Sequence, residues 1–437
     1  MIDRDAAVVS TPSAPARGSG SGGLDRTARP VGIADPLYGT MRVAGWAAAL
    51  LATPPFRRLA GVSLSDVPGE LLFGRPFPSR LDHSLGVYHL ARLARPRDRA
   101  LHAAALAHDL GHGPFSHLTE PLMRERLGED HEARSARLLG EVRAALSPTA
   151  RRQLAWLDWD EVAQLVVGEG PNGRGALLNG RLDYDNADNI ARFLIASGLG
   201  TPDYNPQTLA SALRLARGAH EDTTSGERER VYLLTEAAQQ ALAWQRDRAR
   251  VYTYLHEGHH NLALHAMLRK AVDLGAATNI LPSTFFDMTD LQALRLLGDA
   301  LDRGLTVLTR CVQTGAIYQC VWEAEAPRSP DGIAQLFGSW RARDAVESRL
   351  AGEAGLARHE VIVAPLVSSA ARALPPLGAP TGPLTLPQPA ELLAPPMVLH
   401  LFAPAPTGQD YLRRLKMAAE RVFGPMGVIV RPLDTHP

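Results

Sequence analysis

The sequence predicts a mainly α-helical protein with a smaller C-terminal α+β region, and three observations lead to this fold class. Between about residues 40 and 275, apolar residues recur at spacings of three and four, the period of amphipathic helices. Beyond residue 300, alternating stretches rich in β-branched residues become frequent, as expected for strands. The 437 residues are also enough for a helical core with an appended module.

Composition divides the chain further. Residues 1–32 are rich in Ser, Gly, Pro, Ala and Thr, which bury too little apolar surface to order a segment, so we expect a disordered leader. The helical core is expected at residues 33–300 and the α+β region at residues 301–437, with a proline-dense loop or linker at about 370–396. No apolar run has transmembrane length and no apolar signal core is visible, which favours a cytoplasmic protein.

Local start and stop signals divide the core into helices. The expected helices cover residues 85–93, 98–107, 132–146, 160–167, 185–196, 227–242 and 248–274. Asp98 marks the start of the second helix, and Gly198 ends the fifth. We expect Ser116 to cap a further helix that begins near His117.

The C-terminal region is predicted to mix strands with one helix. Strands are expected at residues 306–313, 316–323, 359–364, 397–402 and 428–431, and an amphipathic helix at residues 410–423. The first two strands would turn around Thr314-Gly315. Cys311 and Cys320 would then be either cross-strand neighbours or, as we favour, buried free thiols.

The overall charge argues against some classes of partner. The 46 basic and 46 acidic residues give a formal net charge of zero, so bulk attachment to nucleic acid or to an anionic membrane is not expected. Few aromatic residues lie among the basic ones, which makes a nuclease a weak alternative.

The residues with the most chemical information lie in the run Ala-Leu-Ala-His-Asp-Leu-Gly-His-Gly-Pro-Phe-Ser-His, which ends at His117. The pair His108-Asp109 offers a divalent cation a nitrogen and a carboxylate oxygen from adjacent positions. Upstream, His83 opens another helix, and a cluster of aspartates follows downstream. One His, a His-Asp pair and a later Asp make four ligands, enough for one metal ion with room left for water.

These residues resemble the H…HD…D signature of the HD-domain phosphohydrolases, and the wider pattern resembles their deoxynucleoside triphosphate triphosphohydrolase (dNTPase) branch. Asp35-Pro-Leu-Tyr-Gly39 is similar to the opening motif of that branch, and residues 53–59 are similar to its Thr-Pro-x-Phe-x-Arg-Leu helix. His131-Glu132 follows the HD run at a similar spacing. The resemblance covers residues 33–275 and implies an HD-domain helical core, phosphoester hydrolysis and homo-oligomers.

The fourth metal ligand depends on how the aspartate cluster is aligned. The resemblance makes Asp185 the ligand, with Asp183 as the competing candidate. Asp188 then lies one turn further on and is expected to pair with Arg192, four residues later. The mixed nitrogen and oxygen set accepts one divalent ion, which Mn²⁺, Fe²⁺, Zn²⁺ or Mg²⁺ would satisfy.

The resemblance also implies roles in catalysis. It assigns proton transfer and phosphate contact to His112, His117 and His131, and we favour His117 as the acid. Glu132 follows His131 directly in the sequence and is a candidate to orient it. For each histidine the alternative is a hydrogen-bonded structural role. Arg80, three residues before His83, is a candidate phosphate clamp, although a surface arginine is the alternative.

Three positions depart from the dNTPase pattern. Asn186, Asn189 and Phe193 occupy positions where that branch carries a Lys, a Tyr and an Asp that contact nucleotide. Asn186 and Asn189 are therefore candidate substrate contacts. We expect a metal-dependent phosphohydrolase that acts on a nucleotide, in the narrow form a dNTP triphosphohydrolase releasing nucleoside and tripolyphosphate. The alternatives are a phosphatase or phosphodiesterase on a modified or biosynthetic nucleotide, and a non-catalytic nucleotide-sensing module.

A second histidine cluster spans residues 256–265. Its segment His256-Glu-Gly-His-His260 fits the His-Glu-x-x-His pattern of zinc proteases, in which two imidazoles share one helix face and Glu257 acts as the base. Gly258 weakens such a helix, so a wall of the HD-core pocket or a partly exposed helix is the favoured interpretation.

Overall fold

The structure is a computed structural model. It describes residues 30–215, 231–256, 258–326, 339–366, 377–379, 382–384, 397–405 and 409–433. The predicted leader therefore lies outside the described residues up to position 29. Within the described part of the chain, no helix is both long and apolar enough to cross a membrane.

The mainly helical class is confirmed. The helices of the core are α1 (Gly45–Leu51), α2 (Pro54–Leu59), α3 (Gly69–Phe73), α4 (Arg80–Ala94), α5 (Arg99–Ala107), α6 (Glu120–Leu127), α7 (His131–Ala145), α8 (Pro148–Gln153), α9 (Trp159–Val166), α10 (Tyr184–Ser197), α11 (Pro206–Ala212), α12 (Ala238–His256), α13 (His259–Ala277) and α14 (Asp290–Gly298). The C-terminal region adds α15 (Arg303–Thr314), α16 (Trp340–Ala354) and α17 (Gln409–Phe423).

The strands form three sheets. They are β1 (Val31–Asp35), β2 (Gly39–Val43), β3 (Leu213–Leu215), β4 (Val231–Leu234), β5 (Gln319–Ala326), β6 (Ile362–Leu366), β7 (Leu377–Ala379), β8 (Gly382–Leu384), β9 (Met397–Ala403) and β10 (Ile429–Arg431). Strands β1 and β2 form an antiparallel hairpin, the order β10-β5-β9-β6 makes the C-terminal sheet, and β3-β4-β7-β8 makes the third.

Helix α5 lies at the centre of the core because its side chains are small and apolar. Its residues Leu101 to Ala107 are all buried, and alanines allow neighbouring backbones to approach closely. Asp98 accepts a hydrogen bond from the Leu101 amide at the start of this helix, as the sequence predicts. Helices α4, α7 and α9 pack around α5, and α10 packs against α4. The C-terminal end of α5 therefore meets one face of α4 and α10.

The Asp-Pro motif ties the N-terminal hairpin to this core. Oδ1 of Asp35 accepts hydrogen bonds from the amides of Leu37 and Tyr38, which shapes the turn. Its Oδ2 accepts from Nη1 of Arg192 on α10 at 2.8 Å. The hairpin was not predicted, because the strands are short and their burial does not alternate regularly.

The structure replaces the strand predicted at residues 306–313 with a helix and shifts the strand predicted at residues 316–323. The first prediction is wrong, because these residues lie in α15, capped by Asp302. Leu305, Leu308, Thr309 and Val312 are its buried positions, and their spacing is that of one helix face. The second segment overlaps β5. Cys311 is consequently helical, and both cysteines are free and half-buried rather than cross-strand neighbours.

Two predicted core helices also need correction. The helix expected at 227–242 begins only at Ala238, since Val231–Leu234 is strand β4 and residues 227–230 lie outside the described residues. The helix expected at 248–274 is two helices, α12 and α13, separated around Gly258. His256 is therefore the last residue of α12 whereas His260 lies in α13, so the single helix that the zinc-protease pattern requires is not formed; Glu257 lies outside the described residues.

The proline-dense segment at 370–396 contains two strands, β7 and β8, and its other residues lie outside the described part of the chain. Strand β7 pairs in parallel with β4, so this segment reaches the core rather than acting only as a linker. Pro383 lies in β8 at the edge of this sheet, the place in a sheet where proline is tolerated. The strands expected near 359–364, 397–402 and 428–431 and the helix at 410–423 are present within a few residues.

Candidate active site

The packing of three helices brings the predicted metal ligands together. His83 lies in the first turn of α4, His108-Asp109 directly follows α5, and Asp185 lies in the first turn of α10. Nε2 of His83 is 3.3 Å from Nε2 of His108 and 2.9 Å from Oδ1 of Asp185. The carboxylate of Asp109 lies 3.8 Å from His83 and 3.4 Å from His108. The ligand atoms of His83, His108 and Asp109 all lie within 4.8 Å of one another, and Asp185 joins them through its contact with His83.

The hydrogen bonds of the two imidazoles test whether a cation fits this point. Nδ1 of His83 donates to Oδ2 of Asp188 at 2.7 Å, and Nδ1 of His108 donates to the carbonyl oxygen of Ala105 at 2.9 Å. In the neutral rings the Nε2 lone pairs then point toward each other across 3.3 Å. Two such lone pairs and two carboxylates attract a positive charge between them, so the donor set fits a divalent cation.

Without a cation, a proton takes this place. Burial opposes a charge on His83, but its hydrogen bonds to Asp185 and Asp188 raise the pKa of the imidazole to about 10. Burial also opposes a charge on Asp109 and would raise its pKa. The positive charges nearby, from His108 and Arg80, outweigh burial and hold the pKa of Asp109 well below its usual range. The carboxylate is therefore ionised at neutral pH and available as a ligand.

Asp183, the competing candidate for the fourth ligand, has a different position. It is the N-cap of α10, where Oδ1 accepts from the Asn186 amide at 2.7 Å and Oδ2 accepts from the Gly180 amide at 2.7 Å. The Nδ2 group of Asn186 donates to the same Oδ1 at 2.8 Å. These bonds turn Asp183 toward the helix end, while Asp185 faces His83. The geometry therefore favours Asp185.

Beside the four donors lies a cluster of three histidines, His112, His117 and His131. The rings of His112 and His131 stack with centroids 4.1 Å apart, and the ring of His117 is nearly perpendicular to both. Nε2 of His112 is 3.3 Å from Oδ1 of Asp109, so the cluster adjoins the four donors directly. His117 alone of the three is well exposed, with about half of its side chain accessible.

Glu120 holds the cluster together, and sequence reasoning missed this role. Its Oε2 accepts from Nδ1 of His117 at 2.9 Å and from Nδ1 of His131 at 3.1 Å. The predicted orienting residue, Glu132, lies 3.2 Å from the same nitrogen of His131. Glu120 begins α6, three residues after His117, a spacing too common to identify this role from the sequence.

The charges of this cluster differ from one ring to the next. Burial lowers the pKa of His131, but its hydrogen bond to Glu120 and the charge of Glu132 outweigh this effect and raise the pKa above its usual value. Burial and the charge of Arg80 keep the pKa of His112 well below its usual value. The surroundings thus favour the protonated form of His131 and the neutral form of His112, a difference that suits proton donation.

Arg80 bridges the metal donors and the histidine loop. Its Nη1 donates to Oδ2 of Asp109 at 3.0 Å, and its Nε donates to Oγ of Ser116 at 3.0 Å. The hydroxyl of Ser116 in turn donates to the carbonyl oxygen of Ser63 at 2.7 Å. The prediction that Ser116 caps a helix is wrong, because this hydroxyl is used in the bridge and Ser116 itself has φ = 50°. Left-handed backbone at non-glycine residues is often found at functional sites.

A cavity opens next to this cluster. Its lining residues are Leu64, Ser65, Asp66, Val67, Leu72, Arg80, His117, Asn189, Ile190, Phe193, Val251, Tyr252, Leu255, Asn261 and His265. Arg80, His117 and Asn189 are among the predicted site residues, whereas Asn186 is not part of the lining. Most of the other side chains are apolar, so the cavity combines charged and apolar lining.

Asp66, Asn261 and His265 add polar groups to the lining of this cavity, and Asp66 and Asn261 were not predicted. Oδ1 of Asp66 accepts from the amide of His117 at 3.1 Å, and its Oδ2 lies 3.5 Å from Nε2 of His265. Asn261 lies one turn before His265 on α13, and its Nδ2 donates to the carbonyl oxygen of Tyr254. The expectation that the second histidine cluster forms part of a pocket wall therefore holds for His265.

Comparison with known proteins gives the class of this site. Residues 80–193 match the HD domain family, and this segment carries the four donors and the three histidines. The chain therefore contains an HD domain.

Several curated proteins are similar to this chain. The deoxynucleoside triphosphate triphosphohydrolase SAMHD1 of Gallus gallus is 34% identical over 123 residues, which are 24% of this chain and 20% of that protein. SAMHD1 of Bos taurus is 33% identical over 118 residues, 23% of this chain and 20% of that protein. A deoxyguanosinetriphosphate triphosphohydrolase-like protein of Ruegeria sp. (strain TM1040) is 29% identical over 182 residues, 39% of this chain and 47% of that protein. This chain thus spans less than half of each relative.

Proposed function

We propose that this protein is a metal-dependent phosphohydrolase that acts on nucleotides. The observation that carries the proposal is the convergence of His83, His108, Asp109 and Asp185, with the Nε2 atoms of the two histidines 3.3 Å apart. This donor set would hold one divalent cation. When bound, the ion would contact a phosphate oxygen and stabilise the negative charge that develops there.

The neighbouring residues have the chemistry for the remaining steps. Arg80 keeps a fixed orientation through Asp109 and Ser116, so its guanidinium can bind a phosphate without first losing side-chain freedom. A protonated histidine of the cluster would give its proton to the oxygen that leaves phosphorus while water attacks the phosphorus atom. The raised pKa of His131 favours its protonated form, and His117 lies at the cavity surface, where it contacts the same carboxylate oxygen.

The apolar lining of the cavity suits the base and sugar of a nucleotide. Ile190 and Phe193 of α10 line it together with Val251 and Leu255 of α12. The names of the similar curated proteins support a dNTP as substrate, with hydrolysis of the ester that joins the 5′ oxygen to the α-phosphorus and release of tripolyphosphate. Asn189 and Phe193 differ from the residues expected in that branch, which supports a modified or biosynthetic nucleotide as the alternative.

Product analysis over a nucleotide panel tests the proposal. We expect the purified protein, loaded with Mn²⁺, Fe²⁺, Mg²⁺ or Zn²⁺, to hydrolyse at least one nucleotide, and His108→Ala to lose this activity. Tripolyphosphate among the products would identify the triphosphohydrolase form, and orthophosphate the phosphatase form. Nucleotide binding without any product in every metal-loaded sample would contradict the enzyme and support a sensing module.

The location, the assembly state and the substrate class of the protein are also proposals. We infer a cytoplasmic protein that forms homo-oligomers, on the basis of the dNTPase resemblance, and a small-molecule rather than nucleic-acid substrate, on the basis of the balanced charge. Light scattering of the purified full chain measures the assembly directly.

A further inference from the structure

A second group of metal-ligand side chains lies away from the HD signature, where the start of α13 meets the C-terminal sheet. Nε2 of His259 is 3.2 Å from Oε2 of Glu323, and Nε2 of His400 is 3.6 Å from the same oxygen. The three ligand atoms all lie within 4.8 Å of one another. The residues come from α13, β5 and β9, so tertiary packing alone brings them together.

The spacing matches that of a tetrahedral metal site. Two ligand atoms at about 2.0–2.1 Å from a zinc ion, at the tetrahedral angle, are roughly 3.3 Å apart. The two nitrogen-to-oxygen distances, 3.2 and 3.6 Å, lie on either side of this value. The 3.6 Å distance between His400 and Glu323 is longer than an ordinary hydrogen bond. A hydrogen bond to Glu323 therefore does not account for the position of the His400 ring.

The surrounding structure orients the three groups. Glu323 and His400 are direct partners in the β5–β9 register, in the interior of the C-terminal sheet. Nη1 of Arg431 on β10 lies 3.4 Å from Oε1 of Glu323, which leaves Oε2 turned toward both imidazoles. His400 is buried, whereas the side chain of His259 is about one-third exposed. A cation at this point would thus have three fixed ligands and one side open to water.

We propose that His259, Glu323 and His400 form a second divalent-cation site, with Zn²⁺ as the preferred ion and water as the fourth ligand. A His₂Glu set with one open position is a known zinc ligand set. The ion would link α13 to β5 and β9 and would therefore join the HD core to the C-terminal sheet. Its place is separate from the four donors of the HD domain, and the inference does not depend on the proposed activity.

The decisive comparison uses the full chain with the HD site disabled. His108→Ala/Asp185→Asn removes two of the four HD donors and serves as the parent. We expect the parent to bind one more zinc ion per chain than the same protein with His259→Ala added, measured by elemental analysis after dialysis. Zn²⁺ should also raise the melting temperature of the parent and leave that of the triple variant unchanged.

Two further variants show whether a loss of zinc comes from the loss of a ligand or from a folding defect. His259 is partly exposed, so its replacement is expected to fold, and His260→Ala on the same helix is the matched control because His260 is exposed and outside the cluster. His400→Ala should lose the same ion. In crystals soaked with zinc, an anomalous peak is expected about 2.0–2.1 Å from the two imidazole nitrogens.

Equal zinc content in the parent and the His259→Ala protein, together with no anomalous peak at this position, would overturn the proposal. The three side chains would then be a hydrogen-bonded cluster only. Octahedral or square-planar coordination of the ion bound at the same three ligands would overturn the choice of zinc.

Discussion

Nδ1 of His83 donates a 2.7 Å hydrogen bond to Oδ2 of Asp188, although the two residues are 105 positions apart. Asp188 is fully buried and is also held by Arg192, which donates to both of its oxygens at 2.9 Å. This pairing of Asp188 with Arg192 is the one that the i,i+4 spacing predicts. The contact fixes which nitrogen of His83 faces the cation position.

Replacing Asp188 should weaken metal binding without removing a ligand. In Asp188→Asn the imidazole of His83 loses its anionic partner, so its Nε2 is held less firmly and is a poorer donor. We expect the affinity for Mn²⁺ to fall about 10- to 100-fold, measured by calorimetric titration. Asp183→Asn is the control, because Asn preserves the N-cap of α10 and should leave the affinity nearly unchanged. A larger loss in Asp183→Asn would make Asp183 the ligand.

Metal binding should release a proton from His83. The pKa of this group in the metal-free fold is about 10, above its ordinary value of 6.5, because Asp185 and Asp188 favour the charged ring against the opposing effect of burial. The protonated ring therefore stabilises the metal-free fold fully below about pH 6.5, and this contribution is lost as the pH rises through about 10.

The same proton competes with the cation. We expect about one proton to be released per ion near pH 7, and the apparent affinity to fall roughly tenfold for each unit of decreasing pH. Calorimetry in two buffers with different ionisation enthalpies measures the released proton. Identical heats in both buffers would show that His83 is neutral before the ion binds.

Glu120 should set the alkaline limit of activity. Its hydrogen bond raises the pKa of His131, so Glu120→Gln should lower that pKa and shift the loss of kcat/KM at high pH toward lower pH. A pH profile of kcat/KM for the best nucleotide substrate measures the shift. Glu132→Gln is the matched comparison, and we expect a smaller shift because Glu132 is more exposed than Glu120. An unchanged profile in Glu120→Gln would exclude protonated His131 from the reaction.

The turn after His108-Asp109 should tolerate no side chain at Gly111. A Cβ there would lie 2.0 Å from the carbonyl oxygen of His131 and 2.6 Å from the amide nitrogen of Ser135. Both contacts are with backbone atoms, which cannot move aside by rotating a side chain. We expect Gly111→Ala to lower the free energy of unfolding by about 3 kcal/mol, measured by urea denaturation of the metal-free protein.

Gly140 on α7 is the control for this substitution. Nothing lies within 4 Å of a Cβ at this exposed helical position. Gly140→Ala should therefore raise the free energy of unfolding by about 0.5–1 kcal/mol, because alanine restricts the unfolded chain. Equal effects of the two substitutions would mean that the close approach at Gly111 is relieved by movement of α7.

The sequence predicted the residues that stand next to one another along the chain better than those that meet in space. His108-Asp109 and the histidines that follow lie within one short segment, so their spacing could be recognised directly in the sequence. The roles of Glu120 and Asp66 depend on how α6 and the loop before α3 fold against the histidine cluster. A carboxylate three residues from a histidine is common, so spacing alone gave no reason to select Glu120.

The errors in secondary structure have a related cause. In residues 306–313, β-branched residues and partial alternation favoured a strand, whereas the buried positions of α15 follow the helical period. Short β1 and β2 gain their stability from each other and from the bond between Asp35 and Arg192, which no local pattern records. Gly258 weakened the predicted long helix, and the structure separates α12 from α13 at that place.

The ammonium group of Lys270 has a consequence for producing the HD segment alone. Lys270 on α13 is fully buried, and its Nζ lies 2.6 Å from Glu347 and 3.3 Å from Asp344, both on α16. A chain shortened at residue 300 would lose both counter-charges together with the helices and strands of the C-terminal region that pack on α13. The HD segment should therefore be produced with the C-terminal region attached, because a shorter chain exposes the face of α13 that this region covers.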